Sequence, residues 1–154
     1  MWRSSLKENT LFFDGASKGN PGRAGGGGIL LSNENFVLAN YAWGLGTMSN
    51  NMAEALALWQ GLKLGQEQNL KSLVVFGDSK LILQSLITKN LPSNIFLSAI
   101  IQKILLIAAK FHVISFFHIL RGLNGKADLE ANRATLLDKN VLAVSGRESI
   151  CIIP

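Results

Sequence analysis

Four carboxylates stand out in this sequence because each lies where a predicted secondary-structure element begins or ends. Asp14 closes a first apolar strand and Asp78 a fourth one, while Glu54 and Asp128 fall near the starts of two helices. We expect the two strands to be parallel neighbours, and open α/β sheets place their sites at the carboxyl edge of such strands. Four carboxylates at one edge repel one another unless cations lie between them. Oxygen ligands alone, without cysteine or histidine, favour Mg²⁺ or Mn²⁺.

Each of these carboxylates also has an ordinary structural explanation when it is considered alone. Acidic residues at the ends of elements commonly cap helices or remain solvated charges. The order of the four along the chain, together with the residues that surround them, favours a shared site instead. Only their proximity in the folded chain separates the two interpretations.

The elements that must position the carboxylates follow from hydrophobic periodicity and from breaker residues. Three strands joined by short turns predict an antiparallel meander. A later apolar run of strand length, covered on both faces, predicts a right-handed parallel crossover to the first strand. We therefore expect an α/β sandwich with a mixed five-stranded sheet, three antiparallel strands and then two parallel ones. The predicted strands are 11–16, 29–31, 36–46, 72–77 and 112–120, and the predicted helices are 51–68, 80–87, 95–110 and 126–138.

Length and composition indicate one globular domain. The chain has 154 residues, of which 48% are hydrophobic and 16% charged, which excludes charge-rich disorder. A single cysteine, Cys151, excludes an internal disulfide framework. The most apolar stretch, 95–120, is interrupted by Lys103 and Lys110 and is too short between charges to span a bilayer. We expect a monomeric intracellular protein without membrane association, and the choice between nucleus and cytoplasm stays open.

The charge balance favours a polyanionic partner. The chain has 15 Lys and Arg against 10 Asp and Glu, a net charge of +5. If the four carboxylates bind cations, 15 basic residues face only six remaining acidic ones. A nucleic acid would then meet a more basic surface than the net charge suggests.

Short segments around the four carboxylates carry a family resemblance. The segments are 12–22, 49–54, 77–79 and 124–128, the last followed by Ala131 and Asn132. In this order they resemble the motifs of the ribonuclease H family, and most of all the plant ribonuclease H-like domain that occurs alone or at the end of non-LTR retroelement reverse transcriptases. We accordingly divide the chain into an N-terminal extension at 1–10, a ribonuclease H-like domain at 11–140 and a C-terminal tail at 141–154.

The resemblance implies an endonuclease that hydrolyses the RNA strand of RNA–DNA hybrids. It implies two Mg²⁺ ions, with Mn²⁺ as a substitute, and products with 5′-phosphate and 3′-hydroxyl ends. The residues that match the family's catalytic, metal-binding carboxylates are Asp14, Glu54, Asp78 and Asp128. The residues implied to bind the hybrid, in part through RNA 2′-hydroxyls, are Gly15, Ser17, Asn20, Ser49, Asn50, Asn51, Ser79 and Lys80. A plain helix cap is the alternative role of Asn50 and Asn51.

One residue departs from the family pattern. Glu130 stands where the last motif usually has leucine, at a position that should face the core, and an unpaired buried carboxylate is costly. This departure favours an alternative function, a catalytically weak or inactive nucleic-acid-binding module derived from a retroelement. A junction resolvase or a 3′–5′ exonuclease of the same fold is a third hypothesis, but the Gly-Asn-Pro-Gly turn and the Asn-Asn pair before Glu54 favour hybrid cleavage.

Four consecutive glycines at 25–28 resemble a phosphate-binding loop superficially. No Gly-Lys-Ser/Thr follows them, which excludes a P-loop. We interpret them as part of a strand that packs unusually closely against its neighbours.

Overall fold

The computed structural model of the chain describes residues 8–146 and 150–153. A short 3-10 turn, Arg121–Leu123, precedes the last helix. The strands and helices within the described residues are β1 Thr10–Lys18, β2 Gly22–Leu31, β3 Val37–Met48, α1 Asn50–Glu67, β4 Ser72–Gly77, α2 Lys80–Thr88, α3 Ile95–Ala108, β5 Val113–His118, α4 Gly125–Ala134, β6 Leu142–Ser145 and β7 Ile150–Ile153.

All of these strands belong to one mixed sheet, in the order β5-β4-β1-β2-β3-β6-β7. β1, β2 and β3 form the predicted antiparallel meander. β4 pairs in parallel with both β1 and β5, as the crossover through α1 requires. The predicted α/β class and the mixed sheet are therefore confirmed.

The predicted number of strands was too low. The segment that we described as a C-terminal tail contributes β6, whose Leu142 pairs with Trp43 of β3, and β7, which pairs with β6. Leu142 is buried and Val144 packs against the core. A strand of four residues offers only two inward positions, too few to show a period in the sequence, so its pairing depends on the exposed edge of β3. The domain boundary at 140 stays a prediction, although the sheet continues beyond it.

The two faces of the sheet are covered by different helices. Successive strand residues point to opposite faces, and the glycines of β2 show which helix lies on each. A Cβ on Gly26 would meet Ala57 of α1 at 2.9 Å, whereas a Cβ on Gly25 or Gly27 would meet α4 at 2.5 to 2.7 Å. The prediction of close packing at these glycines is confirmed, and their lack of side chains lets two helices approach the same strand from both sides.

Local sequence explains where the helices begin and end. Ser49, Ser79 and Asn94 accept hydrogen bonds from main-chain N–H groups in the first turns of α1, α2 and α3. α4 was expected to continue to 138 but ends at Ala134. Beyond it the N–H groups of residues 135–137 bond to carbonyls three residues earlier, which tightens the chain into turns.

The N-terminal side of the sheet begins close to the predicted boundary. Residues 1–7 of the predicted extension lie outside the described residues. Asn9 already supports the sheet, because its carbonyl accepts from Val74 N at 2.8 Å and its side chain bonds to Ser72 O and Asn33 N. Among the described helices, none combines the length and the apolar character that crossing a membrane would need.

Candidate active site

Asp14 and Asp78 lie side by side where β1 and β4 separate. The parallel pairing of the two strands ends at Phe12 and Phe76, and Asp78 directly follows the end of β4. Asp14 does not close its strand as predicted: β1 continues to Lys18, because residues 14–18 still pair with β2 after they have left β4. The divergence opens a gap at the carboxyl edge of the sheet, and both side chains lie there.

Glu54 reaches this gap because α1 crosses β1 at very short range. A Cβ on Gly15 would lie 2.3 Å from Glu54 N and 2.4 Å from Ala53 C, so only glycine fits between strand and helix. The N–H of Gly15 also donates to Asp14 Oδ1 at 2.9 Å. This glycine therefore places the second carboxylate against the first and orients the first one.

The three carboxylates form one cluster. One oxygen from each of Asp14, Glu54 and Asp78 lies within 4.8 Å of the others. Asp14 Oδ2 and Glu54 Oε2 are buried and have no hydrogen-bond partner. Buried acceptors of this kind are costly unless a cation or a proton satisfies them. By the chemistry of its donors, the cluster could hold a divalent cation.

The pKa values of this cluster reflect the cost of burying several carboxylates together. The pKa of Asp14 is raised from 3.8 to about 6: burial is the largest cause, the carboxyls of Asp78 and Asp128 add to the rise, and hydrogen bonds with Glu54 and Gly15 oppose it. Burial also raises the pKa of Glu54 well above its usual value, as do the carboxyls of Asp14 and Asp78. Without a cation, the buried pair therefore retains a proton at mildly acidic pH.

Asn124 holds the cluster from the other side, and we did not predict it as a site residue. Its buried Nδ2 donates to Phe13 O at 2.9 Å and lies 3.5 Å from Asp78 Oδ2, which ties the start of α4 to β1 and to the end of β4. Its Oδ1 is buried without a partner. The signal in the sequence was Asn124 itself, a polar residue directly before the helix that carries the fourth predicted carboxylate.

Asp128 lies in the first turn of α4, as predicted, but outside the three-carboxylate cluster. It still faces Asp14 closely enough to raise the pKa of that carboxyl. α4 reaches this position because a Cβ on Gly27 would lie 2.7 Å from Ala131 N. The structure therefore brings the four predicted carboxylates to one edge of the sheet, three of them with oxygens within 4.8 Å of one another and the fourth beside them.

The predicted hybrid-binding residues of the β1–β2 hairpin lie next to the start of α1. Ser17 Oγ donates to Met48 O at 2.7 Å, and Asn20 Oδ1 accepts from Asn50 N at 3.0 Å. Gly15 packs against α1 on the side where a Cβ would lie, and its role in binding the hybrid stays a prediction. The hairpin and the helix start thus form one surface beside the carboxylates.

The remaining predicted binding residues begin helices. Ser49 Oγ accepts from Met52 N at 3.2 Å and Ser79 Oγ accepts from Ile82 N at 3.4 Å, so both hydroxyls act as helix caps. Asn51 is exposed in the first turn of α1, and Lys80 is exposed in the first turn of α2. Their roles in binding stay predictions.

Glu130 is accommodated without displacing α4. The side chain lies partly buried above Gly27, and its carboxylate is 3.6 Å from Arg133 Nη1. Burial raises the pKa of Glu130, and Arg133 lowers it. The helix keeps small Ala127, Ala131 and Ala134 toward the sheet and exposes Leu129, so the departure from the family pattern leaves Asp128 at the site.

Comparison with known proteins agrees with this geometry. Residues 12–134 match the family model described as reverse transcriptase-like. The chain is 31% identical over 123 residues to ribonuclease HI of Halobacterium salinarum, a match that covers 80% of this chain and 62% of that protein. The chain also spans 62% of the length of a second curated relative, the putative hydrolase EbsB of Enterococcus faecalis.

Two solved structures have the same architecture. The crystal structure of RNase H1 from Halobacterium salinarum has a TM-score of 0.79 at 30% identity, over 82% of this chain and 96% of that one. LC11-RNase H1 in complex with an RNA/DNA hybrid has a TM-score of 0.77 at 28% identity, over 83% and 96%. The plant retroelement setting stays a prediction. With this family match and this architecture in common with both structures, the chain belongs to the reverse transcriptase-like family and has the ribonuclease H fold.

Proposed function

We propose that this protein hydrolyses the RNA strand of RNA–DNA hybrids with the help of divalent cations. The observation that carries the proposal is the cluster of Asp14, Glu54 and Asp78, with buried oxygens that lack partners, at the edge of a ribonuclease H fold. A relative of the same fold is known in complex with an RNA/DNA hybrid, which supports a hybrid as the substrate.

The residues present fit a pair of divalent cations, Mg²⁺ or Mn²⁺. The cluster itself consists of carboxylate oxygens, and two of them are buried acceptors without a partner. Asp14, Glu54 and Asp78 would hold one cation, and Asp14 with the neighbouring Asp128 a second. Bound there, the cations would activate a water molecule and stabilise the charge on the leaving 3′ oxygen. The products would carry 5′-phosphate and 3′-hydroxyl ends.

The chain's own residues prepare this chemistry in two ways. Gly15 N–H and Asn124 Nδ2 fix the orientation of Asp14 and Asp78 before any ligand binds, which reduces the reorganisation needed at the reaction. The hairpin turn and the exposed start of α1 present main-chain groups and amide side chains beside the carboxylates. We infer that this surface holds the RNA strand through its phosphates and 2′-hydroxyls.

Cleavage of an end-labelled RNA–DNA hybrid in Mg²⁺ or Mn²⁺ tests the proposal. We expect cuts within the RNA strand, products with 5′-phosphates, and no cleavage of a DNA duplex of the same sequence. Asp14→Asn keeps the shape of the side chain and removes one cation ligand, so it should abolish cleavage and leave the far-UV circular dichroism unchanged. Cleavage that survives this substitution, or that appears only on duplex DNA, contradicts the proposal.

A specific result would favour the alternative function. An intact, folded protein that binds the hybrid tightly and with strong salt dependence, but does not cleave it in either cation, would be a nucleic-acid-binding module. The partly buried Glu130 on α4 is the feature of this chain that favours that outcome.

A further inference from the structure

Two basic side chains lie opposite each other at the end of the β1–β2 hairpin. Lys18 and Arg23 form the last pair of the β1–β2 register. Arg23 lies two positions from Gly25 on β2, and Gly25 packs against α4. Because strand side chains alternate between the two faces of a sheet, both basic side chains point toward that helix. Like charges directly opposite on a sheet destabilise it unless acceptors separate them. The acceptors here belong to α4 and to the turns that follow it.

Arg23 binds the carboxyl end of α4. Its Nε donates to Thr135 O, and its Nη2 donates to Leu136 O at 3.1 Å and lies 3.5 Å from Leu137 O. The last carbonyls of a helix have no partner within the helix and form the negative end of its dipole. One guanidinium thus satisfies carbonyls at the point where α4 ends.

Lys18 is connected to Asp128 through one side chain. Its Nζ donates to Asn132 Oδ1, and Asn132 Nδ2 donates to Asp128 O at 2.8 Å. Asn132 therefore bridges the hairpin lysine and the main chain of the residue that carries the fourth carboxylate. Two hydrogen bonds in series therefore connect the hairpin to the main chain of Asp128.

The side chains that α4 buries are small, although the helix packs closely on Gly25 and Gly27. Its buried residues are Ala127, Ala131 and Ala134, whereas Leu129 is 57% exposed. Leu136, just beyond the helix, is 79% exposed. Three alanines bury much less apolar surface than larger side chains would, so polar contacts have a larger share in fixing the position of this helix.

We propose that Lys18 and Arg23 are positioning residues that hold α4, and with it Asp128, in place beside Asp14. This inference rests on the proposed function, since it assigns Asp128 to a cation site. The same hairpin carries Asn20, which bonds to the start of α1. The hairpin that we expect to contact the RNA strand is therefore linked to both helices that supply carboxylates.

Arg23→Gln provides the main test, because Arg23 faces α4 rather than the proposed substrate surface. We expect kcat on the hybrid to fall about 10-fold, as for losses in the outer shell of metal sites, with KM changed by less than about twofold. Mn²⁺ titration without substrate should show one weakened site. Amide exchange in α4, measured without metal or substrate, should become faster. Arg23→Lys keeps the charge and should restore part of each loss.

A double-mutant cycle separates positioning from general stability. If Arg23 acts through Asp128, Arg23→Gln should have little further effect on kcat in an Asp128→Asn background. Arg133→Gln is the matched control: it removes one arginine from α4 that pairs with Glu130 and not with the hairpin, and it should leave kcat unchanged. Lys18→Met should reproduce the weaker Mn²⁺ site.

Several results would overturn the inference. Additive losses in the double mutant, unchanged exchange in α4, or a loss confined to KM would show that Arg23 does not position Asp128. If the wild-type protein cleaves no hybrid, the proposed function fails, whereas the exchange and Mn²⁺ measurements still support or refute the positioning role.

Discussion

The two helices that supply carboxylates, α1 and α4, are held to the sheet by different means. α1 has 18 residues and buries leucines and alanines against β1, β2, β3 and α3, with Glu54 inside that interface. α4 has 10 residues, buries three alanines and is fixed by the side chains of Lys18, Arg23 and Asn124. The position of Glu54 is therefore a property of the core, whereas that of Asp128 depends on close packing of small residues together with a few polar contacts.

This difference divides the acidic edge into a rigid part and an adjustable part. Asp14, Glu54 and Asp78 form the cluster with partnerless buried oxygens, and Asp128 lies beside it. Packed cores resist displacement more strongly than surface hydrogen bonds do. We expect changes on the α1 side to affect the whole site, and changes on the α4 side to affect one cation and one helix.

The largest contrast should come from the carboxylates themselves. We expect Asp78→Asn to lower kcat by about 1000-fold, near the upper range for loss of one charge-stabilising group, since this ligand belongs to the cluster. Asp128→Asn should cost only about 10-fold, because the cluster keeps its ligands. Initial rates at saturating hybrid and Mn²⁺ measure both. Equal losses for the two variants would remove the distinction between the two parts of the site.

Adding one methyl group under each helix tests the same contrast in stability. A Cβ on Gly15 would lie 2.3 Å from the main chain of α1, and one on Gly27 would lie 2.7 Å from that of α4. Because α1 is fixed in the core, Gly15→Ala should cost about 3 kcal/mol of unfolding free energy, and Gly27→Ala about 1 kcal/mol, since overpacking costs less where the neighbour moves. Urea unfolding measures both values.

Gly125→Ala is the control for these two substitutions. Apart from its chain neighbours and the backbone of its own helix, no described atom lies within 4 Å of a Cβ at Gly125, in the first turn of α4. Alanine favours helix over glycine, so this variant should be as stable as the wild type or slightly more stable. A greater loss for Gly27→Ala than for Gly15→Ala would contradict the proposed difference between the helices.

The protonation of the rigid part predicts a pH-dependent response to cations. Burial raises the pKa of Asp14 to about 6, so between about pH 4 and 6 the folded protein binds more protons than the unfolded chain. Stability without metal therefore falls as the pH rises through this range. Mn²⁺ replaces the proton, and it should raise Tm more at pH 7.5 than at pH 5.

Thermal scans of the wild type and of Asp14→Asn measure this effect. The amide has no charge to bury, so the variant should have a higher Tm than the wild type at pH 7.5 without metal, and a much smaller gain from Mn²⁺. A wild-type gain that is equal at the two pH values would contradict the assignment of the cations to this cluster.

The smallest effect concerns the adjustable part. Glu130 is partly buried over Gly27, and burial raises its pKa. The buried charge of Glu130 lowers the stability of the folded protein as the pH rises above about 4.5. Glu130→Leu removes this charge and should add about 0.5 to 1 kcal/mol at pH 7, because the pairing of Glu130 with exposed Arg133 contributes little. The gain in urea unfolding should shrink at pH 4. A loss of stability at pH 7 would show that the ion pair supports α4.

Much of the site could be predicted because its residues lie in segments with strong local rules. Asp78 follows a continuous apolar strand, and Glu54 follows a Ser-capped helix start, so both positions are consequences of nearby residues. Asn124 escaped prediction because its importance comes from Phe13 and Asp78, which are distant in sequence. β6 was not predicted because a strand of four residues is too short to show a period, and its pairing depends on the edge of β3.

The sequence alone determined the order of the elements from β1 to α4, the α/β class and the four carboxylates that reach one edge of the sheet, because periodicity, caps and motif spacing are local properties. Tertiary structure decided which carboxylates share a cluster and which stands apart. The close packing of the glycines was predicted, but tertiary structure decided which helix each meets, because two helices approach residues 25–27 from opposite faces. The contacts of Lys18 and Arg23 with α4 likewise join residues more than a hundred positions apart, and such contacts exist only once the sheet has brought them together.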